Sequence, residues 1–120
     1  LNAALGCAQL EQLPDFLASK RALFMRYQQA FQDLPEVALI QEPPECQSNY
    51  WLQTLKLSDS VANERDAILA ATNDAGLMTR PVWKLLHTLV PYQDCPRAPL
   101  PVAESLEQRL INLPSSAGLV

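Results

Sequence analysis

The sequence predicts a single α+β domain, on the evidence of its length and of two kinds of hydrophobic pattern. A chain of 120 residues has the length of one compact domain and is short for two. Apolar residues recur every three or four positions over Asn2–Gln32 and again after Pro101, which is the period of a helix with one buried face. Short apolar and aromatic segments between them predict strands.

The first quarter of the chain predicts helix with one interruption. Because Pro14 cannot donate to the preceding turn but fits the first turn of a new helix, we expect a short helix that ends near Leu13 and a long helix after it. Strands are expected over Glu36–Gln41 and Tyr50–Leu57, with a loop at Pro43–Pro44 between them.

A helix is expected to follow the second strand directly. Ser60 is a candidate N-cap, and the helix should end at Ala75, because Gly76 suits a left-handed C-terminal cap. The segment Gly76–Trp83 resembles a strand, but Pro81 removes a ladder donor, so this strand belongs at an edge of the sheet.

The end of the chain predicts an irregular connection and then a last helix. Prolines make residues 90–100 ordered but irregular. The last helix should begin at Pro101 and close over residues 112–116, with a buried face formed by Ala103, Leu106 and Leu110.

Composition excludes several classes of protein. A hydrophobic content of 48% argues against disorder, and no apolar run approaches the roughly 18 residues that span a bilayer. Nine scattered basic residues against thirteen acidic ones, a net charge of −4, disfavour nucleic-acid binding. Three cysteines without a CxxC pair and the absence of a signal-peptide pattern predict reduced thiols and a cytoplasmic location.

Common catalytic signatures are missing. One histidine and no second His or Cys at ligand spacing make a zinc site improbable on sequence grounds, and three glycines provide no GxGxxG, P-loop or GxSxG. The lysines Lys20, Lys56 and Lys84 are interpreted as solvated charges, since their sequence surroundings suggest no depressed pKa.

Two clusters are candidate pocket residues. Arg80, Trp83 and His87 lie around the bend at Pro81 and could offer a phosphate fork, a flat aromatic face and a hydrogen-bonding ring. On spacing alone, the favoured interpretation makes Trp83 a core residue, and for His87 a role in tying down a loop is supported as well as a role in the pocket. The second cluster, Asn49-Tyr50-Trp51, could line a pocket, although packing across strands is the favoured interpretation.

Five segments of the chain form a recognisable series: Asn2–Leu10, Lys20-Arg21 with Tyr27, Ser48–Leu52, Gly76–His87 and Leu110–Ser116. Together and in this order they cover nearly the whole chain and resemble the C-terminal portion of the DegT/DnrJ/EryC1/StrS sugar aminotransferases. Within the family the chain is similar to LegC-like enzymes, which aminate C4 of a UDP-linked 4-keto-6-deoxy N-acetylhexosamine.

The resemblance implies the small C-terminal domain of a fold-type I aminotransferase, residues 1–120, with a short antiparallel sheet packed with helices. It also implies pyridoxal phosphate in the full-length enzyme, held by a lysine and other groups upstream of Leu1, so that this chain alone is inactive. The implied partners are a nucleotide sugar, an amino-acid donor such as glutamate, and a second subunit in a homodimer.

The residues implied in substrate binding are Arg80, Trp83, His87, Asn49 and Tyr50. The sequence departs from the family pattern at Leu85-Leu86 before His87, where members carry proline, which puts the pose of His87 in doubt. The alternative to an enzyme is a free-standing domain that binds a nucleotide sugar or a protein.

The chain begins at Leu1 inside a helical pattern, which suggests a fragment or a processed piece. Without a larger domain beside it, the first helix is expected to expose apolar side chains around Leu5, Ala8 and Leu13 and to self-associate.

Overall fold

A computed structural model describes residues 1–119, and it has the α+β architecture that the sequence predicts. The helices are α1 (Asn2–Phe31), α2 (Arg65–Asp74) and α3 (Pro101–Arg109), and the strands are β1 (Val37–Leu39), β2 (Gln53–Leu57), β3 (Arg80–Pro81) and β4 (Leu110–Leu113). Short 3₁₀ turns occupy Asp59–Glu64, Leu86–Thr88, Val90–Tyr92 and Ala117–Leu119.

The four strands form one antiparallel sheet in the order β1-β2-β4-β3. Pro81 lies on the edge strand β3, as predicted. An edge strand is hydrogen-bonded to a neighbour on one side only, so it tolerates a residue without an N–H donor. The expectation that the last helix includes Leu110 and closes over residues 112–116 is wrong, because α3 ends at Arg109 and residues 110–113 form the central strand β4. Pairing on both sides, Leu55 with Ile111 and Arg80 with Asn112, outweighs that local helical signal.

The core lies where the second half of α1 covers the sheet. Leu57 and Ile111 are fully buried at 0% exposure, and Phe24, Leu39, Tyr50 and Leu55 complete the buried cluster. Each side chain of this size contributes about 1.5–3 kcal/mol by leaving water. This core therefore fixes the sheet against α1, and with it the loops at one end of the sheet.

Helix α1 is continuous through Pro14, so the expected break near Leu13 is wrong. Residues 1–15 are exposed, and water can hydrate the Leu10 carbonyl that loses its donor. The expected exposure of apolar side chains is confirmed, with Leu5 63% and Leu13 43% accessible and Ala8 exposed. Among residues 1–119, none of the helices combines the length and hydropathy of a bilayer span.

Helix α2 ends as predicted and starts differently. Gly76 has φ +81°, and the Gly76 and Leu77 amides donate to the carbonyls of Asn73 (2.9 Å) and Thr72 (2.8 Å), which is the Schellman arrangement. Ser60 is not the N-cap: it lies in the preceding 3₁₀ turn, and its hydroxyl bonds Ser58 at 2.7 Å.

Candidate functional site

A groove of about 1020 Å³ lies along the β4-β3 side of the sheet. Its walls come from four parts of the chain: Lys20 on α1, Trp51-Leu52 before β2, residues 76–78 and 80–83 around β3, and residues 112–116 with Leu119 at the end of β4 and beyond. Convergence of four segments that are distant in sequence on one concave surface is typical of a ligand site.

Two tryptophans face each other in this groove. The ring centroids of Trp51 and Trp83 are 6.0 Å apart with an interplanar angle of 35°, and the residues are 65% and 70% exposed. The interpretation of Trp83 as a core residue is therefore wrong. Exposed indole faces can stack on a nucleobase or a sugar ring.

Arg80 lies at the same groove, on edge strand β3, with its guanidinium braced from one side. Nη1 donates to Asn73 Oδ1 and to the Thr79 carbonyl, both at 2.9 Å. Thr79 is buried and bonds the Thr72 hydroxyl at 2.6 Å. Because a guanidinium has five N–H donors, this bracing still leaves donors for a bound anion.

Lys20 is a groove residue that the sequence analysis missed. Its Nζ donates to the carbonyl of Trp51 at 2.8 Å and to the carbonyl of Ser115. Burial lowers the pKa of this ammonium, while the two carbonyl acceptors favour its charged form. The interpretation of Lys20 as an ordinary solvated charge is therefore wrong. Hydrophobic pattern and charge gave no signal for it, because its partners are 31 and 95 positions away; its only signal was its place in the Lys20-Arg21 segment of the family resemblance.

Asn49 and Tyr50 lie on the loop that carries Trp51. Tyr50 is buried in the core cluster and stacks on Phe24 of α1 with centroids 4.4 Å apart, so it is a packing residue and does not line the groove. Its φ of +46° is a left-handed conformation that costs a non-glycine residue about 1–2 kcal/mol. Asn49 is exposed, and its Oδ1 accepts from the Trp51 amide at 3.0 Å. These contacts turn Tyr50 inward and Trp51 toward the groove.

An ion pair fastens this loop to α1. Arg21 donates to both carboxylate oxygens of Glu42, at 2.9 and 3.1 Å, and to the Ser48 carbonyl at 2.9 Å. The hydrogen bond from Arg21, together with the Ser48 amide, lowers the pKa of the Glu42 carboxyl. The hydrogen bond to Glu42 in turn raises the pKa of Arg21. Both groups are therefore charged at neutral pH.

His87 lies apart from the groove lining. It sits in the 3₁₀ turn Leu86–Thr88, with its side chain only 12% exposed and Nε2 3.3 Å from Glu104 Oε1 on α3. Its carbonyl accepts from Arg97 Nη1 at 3.4 Å. The structure thus brings Arg80 and Trp83 together in one groove. The contacts of His87 are those of a residue that ties its loop to α3.

The groove does not fit pyridoxal phosphate. None of the described residues that line it carries a carboxylate to pair with the pyridine nitrogen, and the Lys20 amine is engaged by two carbonyls. A cofactor of this kind needs a lysine for the Schiff base and an acidic partner for the ring nitrogen. The arrangement suits an anionic ligand with a flat ring.

Comparison with known proteins identifies the family. The family model described as the DegT/DnrJ/EryC1/StrS aminotransferase family matches residues 1–120. The chain is 30% identical to the GDP-perosamine synthase of Caulobacter vibrioides over 99% of its length and 32% of that protein. It is 34% identical to the enzyme of that name from Escherichia coli O157:H7 over 98% of its length and 31% of that protein.

Solved structures agree with the sequence relatives. The aminotransferase TlmJ from Streptoalloteichus hindustanus superposes with a TM-score of 0.87 at 26% identity, covering 98% of this chain and 31% of that one. DesI, solved in the presence of its TDP-sugar product, gives 0.89 at 26% identity with the same coverage. The chain thus spans about a third of the length of its relatives. It belongs to the DegT/DnrJ/EryC1/StrS aminotransferase family.

Proposed function

We propose that this chain is the C-terminal, substrate-binding part of a pyridoxal phosphate-dependent aminotransferase that acts on a nucleotide-linked 4-keto-6-deoxy sugar. The observation that carries the proposal is the groove in which Arg80 and the indoles of Trp51 and Trp83 converge. Family membership supports the reaction class, and the groove supports the share of it that this chain would perform.

The chemistry of the groove matches two parts of such a substrate, its diphosphate and its base. Arg80 can hold a diphosphate through paired N–H donors, and the tryptophans offer flat faces for the base. The chain has a net charge of −4, yet the described groove lining has two cations, Lys20 and Arg80, and no carboxylate. A local positive field in an acidic protein selects an anionic ligand at this place.

The remaining site residues enter the proposal with different weights. Asn49 and Tyr50 would act through the loop conformation, because their contacts orient Trp51. His87 would contribute at the margin, since its ring is paired with Glu104 and it does not line the groove. Arg80 and Trp83 are the residues proposed to touch the nucleotide sugar.

The nucleotide is proposed only as a class. The relatives are named for GDP-perosamine, and the DesI structure was solved with a TDP-sugar product, so these names do not favour uridine. A UDP-linked N-acetylhexosamine, as in LegC-like enzymes, is the finer hypothesis. Turnover of UDP-, GDP- and dTDP-linked keto sugars by the purified full-length enzyme decides among them.

The rest of the enzyme completes the proposal. Pyridoxal phosphate, bound by segments outside this chain, would carry the amine from an amino acid, glutamate by resemblance, to the sugar carbonyl. We further propose a cytoplasmic homodimer. The residues that this chain contributes would bind and orient the nucleotide sugar, and the isolated chain would be inactive.

The test compares two half-reactions in the full-length enzyme. Because the keto sugar carries a diphosphate and the amino donor does not, Arg80→Ala should lower kcat/KM for the keto sugar by roughly 10- to 100-fold, as expected for the loss of a charged hydrogen bond. Amination of the cofactor by the donor should change by less than about twofold. Arg26→Ala, on α1 outside the groove lining, is the matched control. Equal losses in both half-reactions would reject the proposed role.

A free-standing, non-enzymatic domain is the second candidate. It is not favoured, because the chain belongs to an aminotransferase family and resembles the aminotransferase TlmJ in structure. Detection of a polypeptide near 13.3 kDa in the source cell, without a longer form, would reverse this preference.

A further inference from the structure

We propose that Arg21 and Glu42 are a positioning pair, which holds the loop of residues 40–52 so that Trp51 faces Trp83 across the groove. The pair would thereby set the affinity for the nucleotide part of the substrate. The inference rests on the proposed function and adds residues that it does not use, because neither Arg21 nor Glu42 lines the groove.

The loop that carries Trp51 is long and needs fastening. Residues 40–52 connect β1 to β2 without a helix or strand of their own, a length near the limit of about 12–15 residues above which such loops are uncommon and usually functional. The Ile40 amide bonds the Thr54 carbonyl at 2.9 Å, and within the loop the Cys46 amide bonds the Pro43 carbonyl at 3.0 Å. The first bond fixes only the start of the loop and the second only a local turn, so side chains attach the middle of the loop to α1.

The ion pair joins two points of this loop to α1. Glu42 accepts from both arms of Arg21 and also from the Ser48 amide. Arg21 in turn donates to the Ser48 carbonyl. Both polar groups of the Ser48 backbone are therefore held by one bidentate pair, whose side chains are only 36% and 25% exposed. A fork of this kind fixes geometry as well as charge.

A chain of short contacts runs from this pair to Trp51. The Ser48 hydroxyl accepts from the Tyr50 amide at 3.0 Å, and the Arg21 guanidinium lies 5.4 Å from the centre of the Tyr50 ring. Tyr50 is thereby held in its left-handed conformation, with its ring against Phe24. The next residue, Trp51, is directed to the groove. Breaking the ion pair would free Ser48, the first residue of this chain of contacts, and so loosen the hold on Tyr50 and Trp51.

The proposal predicts a defect confined to the nucleotide sugar. In the full-length enzyme, Glu42→Gln should raise KM for the keto sugar roughly tenfold, the equivalent of one lost charged hydrogen bond. Both kcat and the donor half-reaction should stay within about twofold. The matched control is Glu45→Gln, which removes the same charge from an exposed position of the same loop and should change nothing.

A double-mutant cycle tests whether the two residues act as one unit. Arg21→Lys keeps the charge but loses the fork, so it should reproduce the rise in KM. The double variant Arg21→Lys/Glu42→Gln should be no worse than either single variant, because both remove the same contact. Independent effects that multiply to roughly a hundredfold would overturn the proposal.

A spectroscopic readout separates this inference from the proposed function. With 5-fluorotryptophan in the full-length enzyme, the ¹⁹F resonances of Trp51 and Trp83 are assigned from single Trp→Phe variants. Glu42→Gln should shift or broaden both resonances, and Glu45→Gln should leave them in place. This measurement needs no turnover. If the enzyme aminates no nucleotide sugar, the proposed function is refuted, and the ¹⁹F spectra still test the positioning pair. Unchanged Trp51 and Trp83 resonances in Glu42→Gln would refute the positioning pair.

Discussion

Truncation of Trp83 should separate binding from stability. The residue is 70% exposed, so Trp83→Ala removes little buried area and should lower the free energy of unfolding by about 0.5 kcal/mol or less, as at other surface positions. If its indole stacks on the base, the same change should weaken nucleotide binding by about 1–3 kcal/mol, or roughly 5- to 150-fold.

Calorimetric titration of a nucleoside diphosphate into the full-length enzyme measures the nucleotide affinity, and denaturant unfolding measures the free energy of unfolding. Ile111→Ala is the reference variant for the unfolding measurement. Because Ile111 is 0% exposed, its truncation should lower the free energy of unfolding by about 2–5 kcal/mol. Trp51→Ala should resemble Trp83→Ala, and since the rings are 6.0 Å apart the two effects should not add.

Two results would refute the reasoning. If Trp83→Ala destabilises the protein as much as Ile111→Ala does, the indole is a packing residue in the full-length enzyme. If Trp83→Ala leaves both nucleotide affinity and stability unchanged, the aromatic pair is not part of the site.

Three further predictions concern the fold. Because Gly76 has φ +81° and open space at its Cβ, Gly76→Ala should cost about 1–2 kcal/mol of backbone strain, whereas Gly6→Ala inside α1 should stabilise by up to about 1 kcal/mol; equal effects in denaturant unfolding would contradict this. The lowered pKa of Glu42 contributes stability that is present at neutral pH and lost on acidification below its ordinary value of 4.5. The difference in free energy of unfolding between wild type and Glu42→Gln should therefore shrink as the pH falls below 4.5 and towards the lowered pKa of Glu42. A difference that does not change with pH would show that the charge of Glu42 is irrelevant. The isolated chain should self-associate in sedimentation experiments through exposed Leu5 and Leu10, less so after Leu10→Glu; a strict monomer at high concentration would exclude that.

Local chemistry in the sequence determined several elements. The Gly76 cap, the edge position of Pro81 and the start of α3 at Pro101 depend on backbone preferences within a few residues. Segments that resemble the family identified the family and the fold, and two of the five proposed site residues, Arg80 and Trp83, share one groove.

Tertiary structure decided the remainder. Strand β4 exists because it pairs with neighbours on both sides, and α1 continues through Pro14 because its exposed surface lets water satisfy the freed carbonyl. The groove depends on Lys20, whose ammonium joins the loop before β2 to the segment after β4. These contacts join residues tens of positions apart, and their free energy appears only when the sheet and α1 are already packed together, so no sequence window contains their signal.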